Sequence, residues 1–244
     1  MPKIDLGDVK IHYEEAGQGS LAYIHCHGLG GSGDGFIPDL EFWAGHVGRA
    51  VTWDQRGLGK SSAAPKYNLS LYAADLAGMM DALGIQKAIV HGVSWGGVVA
   101  QQFGLDHLDK CAAIILDSTS SEVNVAASEA WYKQGEDART LGKVGEREIK
   151  PEHVPSYVAN ARATASLREH PYTSRLKNIT CPVLVFSGGK DPGSGPPAGV
   201  IMARNLPKSK LQIIDEAGHG VFRHTPEKFR SLTLEFLKEN GLIK

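Results

Sequence analysis

Short apolar runs alternate with helical patterns along most of the chain. Near its start, residues 3–6 and 9–14 form two extended runs on either side of Gly7-Asp8, which predicts a β-hairpin. Apolar runs predict six buried strands at residues 21–27, 50–53, 87–93, 112–116, 182–187 and 210–214. Because helical patterns separate these runs, we predict an α/β fold whose mostly parallel sheet is covered by helices on both faces.

Two of the predicted helices have clear ends in the sequence. Ser70 is a candidate N-cap of the first helix, which ends at Gly84. Thr225 and Pro226 begin the second helix, and Gly241 ends it. Apolar residues follow the helical period between these ends, at Tyr72, Leu76, Met79, Met80 and Leu83 in the first helix and at Phe229, Leu232, Phe236 and Leu237 in the second.

One long segment interrupts the alternation of strands and helices. Residues 120–172 contain no strand pattern, only two helical stretches at 123–139 and 153–168, joined by a charged, glycine-rich connection. An insertion of helices between two strands of a sheet is a common position for a lid. We therefore predict a core domain formed by residues 1–119 and 173–244, with residues 120–172 as a small helical cap.

Composition excludes several classes of protein. The 244 residues include 26 Lys and Arg against 27 Asp and Glu, and this near-neutral balance argues against a nucleic-acid partner. No apolar run reaches the roughly 18 residues of a membrane helix, and no signal-peptide pattern is visible. The odd number of cysteines beside apolar runs indicates buried, reduced thiols in a cytoplasmic protein: Cys26, Cys111 and Cys181.

The strongest local motif surrounds Ser94. Gly92-Val93-Ser94-Trp95-Gly96 follows the strand predicted at 87–93 and precedes a helical pattern at 98–108. This is the G-x-S-x-G pattern in the strand-turn-helix context of a nucleophile elbow. A sharp turn that lifts the serine hydroxyl above the sheet needs strained backbone angles, and the flanking glycines leave room for the neighbouring chain. We predict that Ser94 is a nucleophile.

A serine hydroxyl needs a base, and His219 is the best candidate. It follows the last predicted strand, at the edge of the sheet where Ser94 is expected. Asp191 lies 28 residues before it, in a glycine-rich loop after a strand, and the order Ser94, Asp191, His219 is that of an α/β-hydrolase triad. Asp117 ends the preceding strand and is a rival acid. We favour Asp191, because its loop can carry it to the histidine, and interpret Asp117 as a turn residue.

The loop after the strand at 21–27 supports two interpretations. In the first, the backbone N–H groups of Leu29 and Trp95 form an oxyanion hole. In the second, residues 28–33 match the G-x-G-x-x-G pattern of dinucleotide-binding proteins, with Asp54 after the next strand. The N-terminal hairpin and the helix-breaking residues 34–38 argue against a bound NAD. The dinucleotide interpretation also leaves the spacing of Ser94, Asp191 and His219 unexplained. We predict no cofactor.

His25, Cys26 and His27 lie together in the sequence but do not form the pattern of a metal site. His25 and His27 share one face of their strand while Cys26 points to the other, and no further ligand pattern lies nearby. We predict no metal.

The motifs together resemble the α/β-hydrolase superfamily over nearly the whole chain. The resemblance rests on His27-Gly28-Leu29-Gly30, on residues 54–61, on Gly92–Gly97 and on Gly218-His219 ahead of Pro226. It implies an α/β-hydrolase fold with an eight-stranded sheet, a helical cap and no cofactor. It also implies an acyl-serine intermediate, and gives residues 54–61 a mainly structural role.

Within this superfamily, a serine at the elbow implies acyl transfer. The single-segment cap resembles those of carboxylesterases, enol-lactonases and C–C bond (meta-cleavage-product) hydrolases, and the Ser-Trp-Gly-Gly elbow resembles polyhydroxyalkanoate depolymerases. We therefore predict a hydrolase of a small-molecule carboxylic ester or lactone that acts through Ser94, His219 and Asp191. The alternatives are a C–C bond hydrolase or a polyhydroxyalkanoate depolymerase. From other classes, they are a small-molecule receptor of the same fold or an NAD-binding oxidoreductase.

Overall fold

The computed structural model describes residues 2–244 and is built on one eight-stranded sheet. Its strands, in spatial order, are β1 (Lys3–Asp5), β2 (Lys10–Gly17), β4 (Arg49–Trp53), β3 (Leu21–Cys26), β5 (Lys87–Val93), β6 (Cys111–Asp117), β9 (Val183–Gly188) and β10 (Ser209–Ile214). β2 pairs in antiparallel orientation with both β1 and β4. All pairs among the other six strands are parallel. The predicted strands are confirmed, with ends that differ by up to three residues.

Helices cover both faces of the sheet. They are α1 (Leu40–Val47), α2 (Leu69–Ala82), α3 (Trp95–Asp106), α6 (Pro196–Asn205), α7 (Val221–His224) and α8 (Pro226–Glu239). On one face, Ile24 and Val90 of the sheet belong to a core cluster with α2, α3 and α6. On the other face, Tyr23 and Ile89 belong to a cluster with α1, α7 and α8. Because successive side chains of a strand point to opposite faces, each central strand contributes to both clusters.

The helix ends differ from the predictions in two places. Asn68, not Ser70, caps α2: its backbone is extended, and its side chain accepts the N–H of Leu71 at 2.9 Å. Thr225 precedes α8, but its hydroxyl donates to the carbonyl of Val221 and does not cap the helix. The glycine end of α2 is confirmed, because Gly84 directly follows the C-cap residue in a positive-φ conformation.

Residues 120–172 contain the two predicted helices, α4 (Val125–Leu141) and α5 (Val154–Ala165). The glycine-rich connection between them, in which no strand was predicted, forms a small antiparallel hairpin of β7 (Lys143–Val144) and β8 (Arg147–Glu148). A separate cluster that includes Ala138, Tyr157 and Ala161 joins these elements. Leu29, from the loop after β3, packs against this cluster, so the inserted segment meets the core beside the predicted oxyanion hole.

Cys26, Cys111 and Cys181 are buried free cysteines. Within residues 2–244, no helix has both the length and the apolar character needed to cross a bilayer.

Candidate active site

Ser94 occupies a strained turn between β5 and α3. Its φ of 55° lies in the region that glycine favours, and its side chain is partly exposed. The flanking glycines are required by close packing. A Cβ atom on Gly92 would lie 2.2 Å from the carbonyl oxygen of Gly96, and a Cβ atom on Gly96 would lie 2.0 Å from that of Cys26. The nucleophile-elbow geometry expected from the motif is therefore present.

His219 and Asp191 form a hydrogen-bonded pair at the same edge of the sheet. Nδ1 of His219 lies 2.8 Å from Oδ2 of Asp191. The Asp191 carboxylate also accepts the backbone N–H groups of Gly193 and Ser194 through its other oxygen. The side chain of Asp191 is 1% exposed and that of His219 is 47% exposed. Nδ1–H thus donates to the buried carboxylate, and the other ring nitrogen, Nε2, makes no hydrogen bond in the described structure.

The pairing shifts both pKa values in the direction that suits a base. Burial raises the pKa of Asp191, but the hydrogen bonds from His219, Gly193 and Ser194 outweigh it, so the pKa lies below its usual 3.8. The hydrogen bond to Asp191 raises the pKa of His219 above 6.5, although burial opposes the change. Asp191 therefore stays ionised and stabilises a proton on the imidazole.

Ser94 and His219 line one cavity of about 550 Å³. The Ser94 hydroxyl and the His219 ring make no hydrogen bond in the part of the chain that the structure describes. Such bonds are often long in the absence of substrate and tighten in the complex. The cavity also brings Gly28 and Leu29 of the predicted oxyanion loop to the same place.

Asp117, the rival acid, has a structural role that the sequence did not indicate. It is fully buried, and its two carboxylate oxygens accept the backbone N–H groups of Val221 and Phe222 at 2.9 and 3.0 Å. The hydroxyl of Ser118 accepts the N–H of Gly220 at 2.8 Å. The interpretation of Asp117 as a turn residue was wrong: it ends β6 and anchors the residues that follow His219.

The segments that carry the two predicted oxyanion donors both lie close to Ser94. Trp95 is the first residue of α3, and a Cβ atom on Gly28, next to Leu29, would lie 3.6 Å from Cβ of Ser94. Within residues 2–244, the backbone amides of Leu29 and Trp95 have no hydrogen-bond acceptor. Unpaired N–H groups, one of them at a helix N-terminus, favour a negative charge placed beside them.

Gln55 links these two donor segments, a role that no sequence motif indicated. Its side-chain oxygen accepts the indole N–H of Trp95 at 2.7 Å, and its side-chain nitrogen donates to the carbonyl of His27 at 2.9 Å. The Gln55 backbone N–H also donates to Nε2 of His27. Because Gln55 is fully buried, this network fixes the loop after β3 against the start of α3.

The histidines around Cys26 have other partners than a metal. Nδ1 of His25 lies 3.1 Å from Nδ1 of His91, and His25 stacks on Phe36. Burial, followed by the charges of His91, His27 and Arg223, holds the pKa of His25 well below its usual range, so the ring is neutral. The ring nitrogens of His27 bond to the carbonyl of Gly28 and the amide of Gln55.

Asp54, the acid of the dinucleotide interpretation, is unavailable to a ribose. It is fully buried and accepts the N–H groups of Gly33 and Lys60, both at 2.7 Å, and bonds to His12. Arg56, two residues on, forms a buried bidentate pair with Asp75. The turn at 54–61 therefore holds the glycine-rich loop in place, as the structural interpretation of this turn requires.

Residues of the inserted helices form part of the cavity wall. Trp131 and Tyr157 line the cavity that contains Ser94, whereas Tyr132 is 53% exposed and is not among its lining residues. A neighbouring cavity of about 370 Å³ shares Trp131 and His219 and is bordered by residues 193–201 after β9. The loop beside Asp191 thus borders the site.

A family model described as the alpha/beta hydrolase family matches residues 23–232. The chain belongs to the alpha/beta hydrolase family. The matched region includes Ser94, Asp191 and His219.

Relatives of this hydrolase have different named activities. A Caulobacter vibrioides protein whose provisional name is carbamate hydrolase RutD is 29% identical, over 98% of this chain and 99% of its own length. A Burkholderia vietnamiensis protein named 2-hydroxy-6-oxononadienedioate/2-hydroxy-6-oxononatrienedioate hydrolase is 25% identical, over 95% and 92%. The enol-lactonase of Burkholderia xenovorans LB400 shares the fold with a TM-score of 0.84 and 22% identity, over 97% and 100%. The family therefore establishes a hydrolase, and the cavity must determine the substrate.

Proposed function

We propose that this hydrolase cleaves a carboxylic ester or lactone through an acyl-serine intermediate. One observation carries the proposal: Ser94, held at a φ of 55°, shares a cavity with His219, whose ring pairs with the buried Asp191 at 2.8 Å. A partly exposed serine in a strained turn, a histidine and a buried acid are the parts of a nucleophile with its base.

The first half-reaction forms the acyl-serine. Nε2 of His219 takes the proton of the Ser94 hydroxyl as Oγ attacks the carbonyl carbon of the substrate. The carbonyl oxygen becomes negative and accepts hydrogen bonds from the backbone N–H groups of Leu29 and Trp95. The C–O bond of the ester then breaks, and His219 gives its proton to the leaving oxygen, which stays tethered to the acyl group when the substrate is a lactone.

The second half-reaction uses the same groups. His219 takes a proton from water, and the resulting hydroxide attacks the acyl carbon. The tetrahedral intermediate breaks its bond to Oγ of Ser94, which regains a proton from His219 and releases the carboxylic acid. Asp191 stays ionised throughout, because its hydrogen bonds hold its pKa low, and it stabilises the imidazolium in both steps.

Residues 120–172 act in this proposal as a cap over the site. The support is that Trp131 of α4 and Tyr157 of α5 line the cavity of Ser94, and that Arg147 of the hairpin donates to the carbonyls of Leu29 and Gly30. A cover of this kind excludes water and shapes the pocket for one class of substrate.

The test is hydrolysis of 4-nitrophenyl esters of increasing acyl length and of simple lactones, with Ser94→Ala beside Ser231→Ala. Ser231 is an exposed serine on α8 and serves as the control. We expect Ser94→Ala to abolish turnover without unfolding the protein and Ser231→Ala to behave as wild type. A fluorophosphonate should add its mass at Ser94 only. Near-wild-type turnover by Ser94→Ala would contradict the proposal, and labelling of Ser94 without any turnover would favour a receptor.

A further inference from the structure

Two arginine side chains line the cavity that contains Ser94. Arg147 lies on β8 of the inserted hairpin and donates to the carbonyl oxygens of Leu29 and Gly30. Arg223 lies on α7, four residues after His219. Both arginines line the same cavity as Ser94, although they come from distant parts of the chain.

No acidic side chain balances this positive charge within the cavity. Its lining residues include neither Asp nor Glu, and in the described part of the chain no carboxylate lies within 4.0 Å of Arg147 or Arg223. Several other arginines are paired with carboxylates: Arg56 contacts Asp75 and Asp8, for example. Asp191 is buried behind His219, with which it is paired. The cavity thus presents two guanidinium groups without a counter-ion from the protein.

Both arginines are exposed residues, and each guanidinium group contacts neighbouring parts of the chain. Arg223 lies over the ring of Phe222, with 5.0 Å from its guanidinium carbon to the ring centroid. It also lies against Gly35, where a Cβ atom would be 3.1 Å from Nη2 of Arg223. Arg147 is held by the two carbonyls of the oxyanion loop. Contacts of this kind reduce the conformational entropy that the groups lose when a ligand binds.

We propose that Arg147 and Arg223 bind a carboxylate group of the substrate. This inference rests on the proposed function and names its substrate class: an ester or lactone that carries a carboxylate besides the carbonyl that Ser94 attacks. A guanidinium donates two parallel hydrogen bonds to a carboxylate, which orients the ligand as well as attracting it. A carboxylate held there fixes the substrate beside Ser94 and the oxyanion donors.

The test compares pairs of substrates of similar shape, in which one member carries a carboxylate and the other an uncharged group in its place. In the first pair, 4-nitrophenyl hydrogen adipate carries a terminal carboxylate, and 4-nitrophenyl 6-methylheptanoate carries an isopropyl group in its place. In the second pair, 4-acetoxybenzoate and 4-isopropylphenyl acetate make the same exchange in the leaving group. We expect kcat/KM of the wild type to be about ten-fold or more higher for the anionic member of at least one pair, the size of one charged hydrogen bond.

Variants then assign the preference to the two arginines. Arg223→Gln and Arg147→Gln should each reduce the ratio of anionic to neutral kcat/KM, and the double variant should bring it to about one. Arg204→Gln removes the same charge from an exposed position on α6 that lines none of the cavities described above, and it should keep the wild-type ratio. Added salt should lower the wild-type ratio, because salt screens exposed charges.

Failure of this inference differs from failure of the proposed function. Ester hydrolysis that depends on Ser94 but shows no preference for the anionic member of either pair overturns only the carboxylate site, as does a preference that the double variant retains. If no ester is cleaved and fluorophosphonate does not label Ser94, the proposed function fails.

The carboxylate site is then tested by binding. Adipate should raise Tm of the wild type and of Arg204→Gln but not of the double variant. Adipamide, or sodium chloride at an equal ionic strength, should raise none of them. No shift with adipate would overturn it.

Discussion

The backbone carbonyl of Asp117 accepts the N–H of Ser94 at 2.9 Å. The carboxylate of the same residue accepts the N–H groups of Val221 and Phe222, just after His219. One buried residue at the end of β6 therefore holds both the turn that presents the proposed nucleophile and the segment that carries the proposed base. The distance between the serine and the histidine depends on Asp117, although Asp117 makes no hydrogen bond to the imidazole in the described structure.

Because Asp117 anchors two buried segments, we expect it to contribute to the free energy of unfolding. In Asp117→Asn, an amide nitrogen replaces one carboxylate oxygen and faces a buried backbone N–H that it cannot accept. We expect the free energy of unfolding to fall by about 2–3 kcal/mol, the cost of unsatisfied buried groups. Urea denaturation measures this change, and a loss below about 0.5 kcal/mol would show that the anchor is unimportant.

Asp191→Asn should reduce turnover strongly and the free energy of unfolding only slightly. Its amide can still contact the imidazole but does not stabilise the protonated ring, so we expect kcat for a 4-nitrophenyl ester to fall by roughly 10³–10⁴-fold. The remaining oxygen of the amide can still accept the N–H groups of Gly193 and Ser194, so urea denaturation should show a smaller loss than for Asp117→Asn. If Asp117→Asn lost kcat as severely while Asp191→Asn kept it, the acid would be Asp117.

The pH profile provides a separate check on the pairing. His219 must be neutral to accept a proton, and Asp191 raises the pKa of its ring above 6.5. Activity should therefore rise with pH, with the limb of kcat/KM centred above pH 6.5. The residual activity of Asp191→Asn should show this limb at lower pH, because the carboxylate no longer favours the charged ring. An unchanged limb would mean that another group titrates.

Gln55 should affect turnover more than substrate binding. Gln55→Met removes the bonds to the indole of Trp95 and the carbonyl of His27 while keeping a similar volume. The two oxyanion donors then lose their common support, so we expect kcat to fall about ten-fold with KM within about two-fold. Gln102→Met is the matched control: Gln102 is also buried but bonds to Asp106 and Tyr172, away from the site. Equal losses in both variants would indicate a general effect on folding.

The elements were predictable because they depend on local patterns. Each central strand is buried on both faces, so its sequence is a continuous apolar run, and runs of this kind located the six parallel strands of the sheet. Ser94, Asp191 and His219 were found because each follows a strand, and parallel strands bring such positions to one edge. The structure brings these residues together, and their catalytic roles stay a prediction.

The parts that were missed depend on contacts between distant residues. Gln55 and Asp117 look like ordinary turn residues in the sequence, and only the folded chain shows that they bond to Trp95 and Val221. The choice between Asn68 and Ser70 as the cap of α2 depends on which residue has an extended backbone. The Arg147 hairpin was hidden because its strands have two residues each, too short for any periodic signal.

The backbone angle of Ser94 has a consequence for how this position tolerates substitution. A residue with a side chain at a φ of 55° and a ψ of −121° costs about 1–3 kcal/mol that glycine would avoid. Backbone strain therefore favours loss of the whole side chain, and the demand for turnover opposes it. A lineage freed from that demand would drift towards the substitution Ser94→Gly and gain heat resistance as it lost activity.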